Sequence, residues 1–109
     1  MITRNKIKFH KYHGAGNDFI MINNLDQTIK LKSDYIAKIC DRNFGIGADG
    51  LILIEKQNLI GNPNKAMFFM NYYNSDGSIA EMCGNGIRCA VKFFLSETKK
   101  TLKIGRAHV

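Results

Sequence analysis

No stretch of this sequence approaches the roughly 18 consecutive apolar residues of a membrane-spanning helix. The opening MITRNKIKFHKYHG lacks a continuous apolar core, so no secretory signal is expected. Cysteine is scarce: Cys40, Cys83 and Cys89 form an odd set with no C-x-x-C pair. That argues against a disulfide framework or a zinc centre and for a reducing, cytoplasmic setting. Proline occurs once, as Pro63 in a GNPN string, and a surface turn is expected over 57–65. Internal repeats, low-complexity tracts and interdomain linkers are also missing. What remains is 109 residues, 45% hydrophobic and 23% charged, the make-up of one small globular domain.

Acidic residues are few, 9 against 16 basic, giving a formal charge of +7. A nucleic-acid partner would account for that, but the lysines are scattered and no basic stripe is interleaved with aromatics for base stacking. A lysine-rich composition is the simpler account, so neither nucleic acid nor membrane is the expected partner.

Ile7 and Phe9 alternate with lysines and read as a first strand. HGAGND, from His13 to Asp18, reads as a loop, and FIMI over 19–22 as a second strand. Ser33 is placed to cap a helix running to about Arg42, with Ile36, Ile39 and Cys40 on its apolar face. The loop FGIGADG follows, then a strand over 51–54 and another over 67–73. From Gly84 to about Leu95 the pattern predicts a buried helix, with Ile87, Ala90, Val91 and Phe94 on one face. Residues 96–103 read as a helix exit and the start of a further strand. The expected fold class is α+β, a mixed or antiparallel sheet wrapped around a buried central helix. The last six residues, IGRAHV, can be encoded by ATC GGA AGA GCA CAC GTC, which matches a sequencing adapter. The natural domain is therefore expected over 1–103, with 104–109 as a read-through tail.

The chemistry gathers in NSDGSIAEMCGNGIRCAVKFFL, residues 74–95. A thiol reacts as its thiolate, and a helix N-terminus lowers thiol pKa, so Cys83 at the mouth of this helix is a candidate acid/base or nucleophile. Gly84 and Gly86 let backbone N–H groups approach an anion, and Asn85 adds an amide. The same C-G-N-G string also suits a buried structural cysteine in a glycine turn. Cys89 is six residues on, about 9 Å of helical rise and about 240° of rotation away. The two thiols therefore cannot face one carbon from opposite sides. Cys40 and Cys89 read as core. His10 and His13 have no metal-ligand cluster around them. The glycines at 45, 47 and 50 open a strand and lack a G-K-[ST] ending, which excludes a dinucleotide or P-loop reading. Asn17 and Asn74 taken singly are turn residues, and Asp76 and Glu81 are explained by turn geometry and helix-start charge.

Three segments in order carry a resemblance: YHGAGNDFIMIN, DRNFGIGADGLILIE and NSDGSIAEMCGNGIRCAVKF. Together they resemble the N-terminal half of diaminopimelate epimerase, over residues 7–103. The resemblance implies a cofactor-independent isomerase that inverts one α-carbon of LL-diaminopimelate to give the meso form. Two cysteines would act from opposite faces of that carbon. It implies that Cys83 is the first-half cysteine, that Asn17 and Asn74 bind substrate, and that Gly84 and Asn85 hold the carboxylate at the reacting centre. Some relatives carry a binding glutamine where this chain has Gly50, so that contact is not carried over. The resemblance supplies no counterpart here for the second cysteine, and the 109-residue chain alone is expected to be inactive. A homodimer is compatible with the resemblance for the full-length protein. Rival readings are a proline or hydroxyproline racemase, which typically carries histidine where Asn85 stands, and a non-catalytic fragment or half-domain that holds a carboxylate.

Overall fold

The computed structural model describes residues 6–56, 68–81 and 84–105, with 100–105 as backbone alone. The expected turn over 57–65 and the catalytic candidate Cys83 lie outside the described residues. Among the described residues, four strands and two helices follow one another as β1 (His10–Gly14), β2 (Asn17–Asn24), α1 (Ser33–Cys40), β3 (Gly50–Glu55), β4 (Phe69–Asn74) and α2 (Gly84–Gly105). The strands form one mixed sheet in the order β1-β2-β3-β4. β1 and β2 are antiparallel, β2 and β3 parallel, and β3 and β4 antiparallel. The α+β expectation with a mixed sheet holds.

The parallel pair explains its own sequence. A strand with helices on both faces reads as an unbroken apolar run. FIMI and LILI are such runs, and all eight of their side chains are buried. The pleat sends alternate residues to opposite faces. Phe19, Met21, Ile52 and Ile54 pack with Cys89, Ala90, Phe93 and Phe94 of α2. Ile20, Ile22, Leu51 and Leu53 pack with Ile36 and Cys40 of α1. Cys40 and Cys89 are thus core cysteines on opposite sides of the sheet, as the sequence suggests.

Five local expectations are corrected. The first strand forms at His10–Gly14, beyond Ile7 and Phe9, because pairing is fixed by the turn that follows. HGAGND is a tight hairpin: Gly14 pairs with Asn17, and Ala15 and Gly16 both take positive φ, as a two-residue type I′ turn requires. The N-cap of α1 is Lys32, with no side-chain cap, and Ser33 is already helical. The buried face of α2 is Gly86, Cys89, Ala90, Phe93 and Phe94, whereas Ile87, Val91 and Leu95 are 40, 40 and 50% exposed. A helix apolar around most of its circumference gives periodicity without phase. Finally, 96–103 continues α2 and does not turn into a strand. Glu97 and the lysines there are good helix formers, and the Thr98 hydroxyl donates back to the Phe94 carbonyl at 2.8 Å.

Candidate active site

One end of the sheet collects the chemistry. The β1–β2 hairpin turn, the start of β3, the end of β4 and the start of α2 all lie there. Phe19, Gly50 and Asn74 occupy one row across β2, β3 and β4. Asn17 stands two residues before that row, at the first position of β2.

The hairpin reaches α2 through a close backbone approach. A Cβ built on Gly14 would sit 3.0 Å from Cys89 Sγ and 3.5 Å from the Asn85 carbonyl oxygen, so a side chain here fits only if the thiol or the turn gives way. That approach delivers Asn17 to the helix mouth. Asn85 Nδ2 donates to Asn17 Oδ1 at 2.9 Å across 68 residues of sequence. Gly84 opens α2 and is exposed; among the described residues, nothing lies within 4 Å of where its Cβ would stand. Backbone N–H groups of a first helical turn lack intrahelical acceptors, and the first turn of α2 carries no acidic side chain. An anion would find both the dipole and the open space favourable there. Of the residues the sequence singles out, Asn17, Gly84 and Asn85 are brought together. Cys83 immediately precedes Gly84 in the sequence. Asn74 lies at the same end of the sheet, but its Nδ2 donates to Ser78 Oγ at 2.9 Å within its own turn.

Beside these amides lies an ionic cluster that the sequence reading passed over. Asp18 is 9% exposed. Its carboxylate accepts from Arg42 at 2.8 and 3.1 Å and from Lys11 Nζ at 2.8 Å. The Arg42 guanidinium, followed by Lys11 and the Asp49 backbone N–H, holds the Asp18 carboxyl well below the usual carboxylate range, against the opposing effect of burial. Asp49 Oδ1 accepts from Arg42 at 3.0 Å. Its Oδ2 accepts from the Asp18 N–H at 3.1 Å and from Asn17 Nδ2 at 3.2 Å. Lys11 Nζ also donates to the Gly47 carbonyl. Asp and Arg inside the DRNFGIGADG and GND strings were the available signal, but Asp18 lies 24 residues from Arg42 and 31 from Asp49.

The glycine loop closes the exit of α1. Ile46 and Gly47 donate to the Ile39 carbonyl, Ala48 to that of Cys40, and Gly45 to that of Asp41. These bonds satisfy carbonyls at the exit of α1. The Asp41 carboxylate accepts from the N–H groups of Phe44 and Asn43, which lower its pKa. Gly50 is buried, and a Cβ there would meet the Tyr73 carbonyl oxygen and Tyr72 Cε1 at 2.8 Å. A glutamine at this position would need the β4 backbone to move. The His10 ring packs 5.3 Å from that of Phe93. Burial pushes the Cys40 thiol up, which disfavours its thiolate.

Comparison with known proteins decides the family. The profile described as diaminopimelate epimerase matches residues 9–107. The chain belongs to the diaminopimelate epimerase family. It is 54% identical over 93 residues to a diaminopimelate epimerase of Prochlorococcus marinus (strain NATL1A), covering 81% of this chain and 31% of that protein. It is 45% identical over 103 residues to that of Gloeothece citriformis, covering 94% of this chain and 34% of the relative. A chloroplastic diaminopimelate epimerase of Oryza sativa subsp. japonica is 49% identical over 88 residues, covering 80% of this chain and 23% of that one. The chain thus spans about a third or less of the length of these curated relatives. No helix among the described residues is long and apolar enough to cross a membrane.

Proposed function

We propose that the full-length gene product epimerises LL-diaminopimelate to the meso form without a cofactor, and that this chain supplies one half of the active site. The observation that carries the reading is the Asn85–Asn17 hydrogen bond, which joins the mouth of α2 to the hairpin. In this reading the α-carboxylate of the substrate sits against the first turn of α2, at Gly84 and Asn85. Asn17 and Asn74 bind the remainder of the amino-acid end. Cys83 faces the α-carbon from one side, and a second cysteine beyond this chain faces it from the other. One thiolate takes the α-proton while the opposite thiol gives its proton to the other face. The carbon is inverted and the two sulfurs exchange protonation states.

An α-proton beside an ammonium and a carboxylate is weakly acidic. The charge that develops as it leaves must be stabilised by donors already in place. Helix-terminal N–H groups and side-chain amides do this without reorganising, and both thiols act as general acid and base. We further propose that residues 1–103 are the N-terminal domain, that 104–109 are read-through, and that the protein works in the cytoplasm.

The test is a stereochemical assay of the full-length product and of the 109-residue chain. The full-length protein should interconvert the two stereoisomers and the short chain should not. Turnover by the short chain alone would overturn the two-cysteine reading. In the full-length protein, Cys83→Ser should reduce deuterium exchange at the α-carbon by about a thousandfold or more.

A further inference from the structure

A hydrogen bond between two primary amides has no inherent direction. Each side chain has an oxygen that accepts and a nitrogen that donates, so both can rotate and exchange roles. The Asn85–Asn17 pair therefore needs something outside it to choose. A carboxylate only accepts, and Asp49 Oδ2 lies 3.2 Å from Asn17 Nδ2. Turning the Asn17 amide over would set its oxygen against that carboxylate. It would also set its nitrogen against Asn85 Nδ2. With Asp49 in place, Asn17 must give its nitrogen to Asp49 and its oxygen to Asn85, and Asn85 must donate.

Asp49 is itself held. Arg42 donates to its Oδ1 at 3.0 Å, and the Asp18 N–H donates to its Oδ2 at 3.1 Å. Arg42 is locked in turn by a two-pronged pair with Asp18. The Asp49 N–H donates to the Asp18 carbonyl and carboxylate, both at 3.0 Å, so its backbone is fixed too. Donation thus converges on Asp49, from the Arg42 guanidinium on one side and from the two amides, Asn85 to Asn17 to Asp49, on the other.

Resting on the epimerase reading above, we infer that Asp49 is a positioning residue that sets the donor–acceptor direction of the Asn17–Asn85 pair. A pair with one direction offers a ligand one arrangement of donors and acceptors, whereas a pair free to flip spends part of its time mismatched. Asp49 acts through Asn17 and raises affinity for an amino-acid ligand without touching it.

The experiment uses the full-length protein and two readouts. In the wild type, solvent exchange at the Asn17 side-chain amide is followed by NMR. The proton aimed at Asp49 should exchange about tenfold more slowly than its geminal partner. Equal rates would overturn the inference, and this measurement needs no variant to fold. In the second readout Asp49→Asn, which keeps shape but can donate or accept, should raise KM for diaminopimelate about tenfold and leave kcat within about twofold. Placed on Asn17→Ala, the same change should move KM less than about twofold. An equal rise in both backgrounds would mean a purely structural role and would overturn the inference. Wild-type protein that fails to exchange the α-proton of diaminopimelate sinks the epimerase reading instead. The amide readout still decides Asp49 in that case.

Discussion

Asn17 and Asp18 are neighbours in sequence, yet the pleat of β2 sends them to opposite faces of one sheet. On the α1 face, Asp18 meets Arg42 and Lys11, and the end of the core is closed by charge. On the α2 face, Asn17 meets Asn85, and the end of the core is finished by neutral amides and a helix N-terminus. The first face is saturated: its anion already has two cations. The second presents donors, and among the described residues the first turn of α2 carries no acidic side chain. A ligand carboxylate has a reason to bind one face and not the other. Asp49, reaching both Arg42 and Asn17, couples the two.

The contrast breaks most visibly at Asp18. Asp18→Asn removes the negative charge and one of the two acceptor oxygens shared by two cations. Breaking a buried ion pair costs about 3–5 kcal/mol. Arg42 is 56% exposed at its side chain, so water recovers part of the loss, and about 2 kcal/mol is the expected fall in unfolding free energy. Urea titration checks it. The folded state holds the Asp18 carboxyl below its unfolded value, so its contribution is present above about pH 4 and is lost as the pH falls further. Wild type and Asp18→Asn should therefore converge in stability under acid.

On the other face the corresponding change is Asn85→Ala. It removes one part-buried amide hydrogen bond and leaves the contacts of Asp18 with Arg42 and Lys11 in place. In the full-length protein it should weaken diaminopimelate binding about tenfold, or about 1.4 kcal/mol, with a smaller effect on stability. Calorimetry and urea titration on the same samples separate the two. Equal losses in both would mean that the two faces do not divide the work in this way.

The difference between the faces also explains what could be read in advance. FIMI and LILI announce strands buried on both sides, because no half-exposed strand is apolar throughout. The glycines around Asn85 mark the start of α2 at the right residue. The ionic cluster was hidden because Asp18 lies 24 residues from Arg42 and 31 from Asp49, and the parallel pairing of β2 with β3 brings these segments together. The inward face of α2 was misread because Ile87 and Val91 are as apolar as Phe93, so composition could not say which side meets the sheet. The placement of Asn17 depended on a hairpin whose register follows from Ala15 and Gly16, two residues that read equally well as loop.

That hairpin can be probed through Gly14→Ala. The added methyl would lie 3.0 Å from Cys89 Sγ, on a helix tied to the sheet by Ala90 and Phe93. Either the sulfur rotates away or the turn lifts. The expected cost is about 1 kcal/mol of stability, the low end of overpacking, because one thiol is the main obstruction. Cys89→Ala should recover most of it in the double variant. Recovery of stability without recovery of ligand affinity would locate the damage at Asn17 and not in the core.

The smallest effect belongs to the outward side of α2, and it tests the reassigned helix phase. Val91 is 40% exposed, whereas Ala90 beside it is fully buried against Phe19 and Met21. In the 109-residue chain, Val91→Thr should change stability by no more than about 0.5 kcal/mol, since surface replacements usually stay within that range. Ala90→Thr, one residue earlier, forces a branched polar side chain into the packed face and should cost at least about 2 kcal/mol. The ratio between the two matters more than either value. If Val91→Thr were the more damaging, the helix would be turned about its axis relative to the sheet. Asn85, on the same helix, would then no longer be aimed at Asn17.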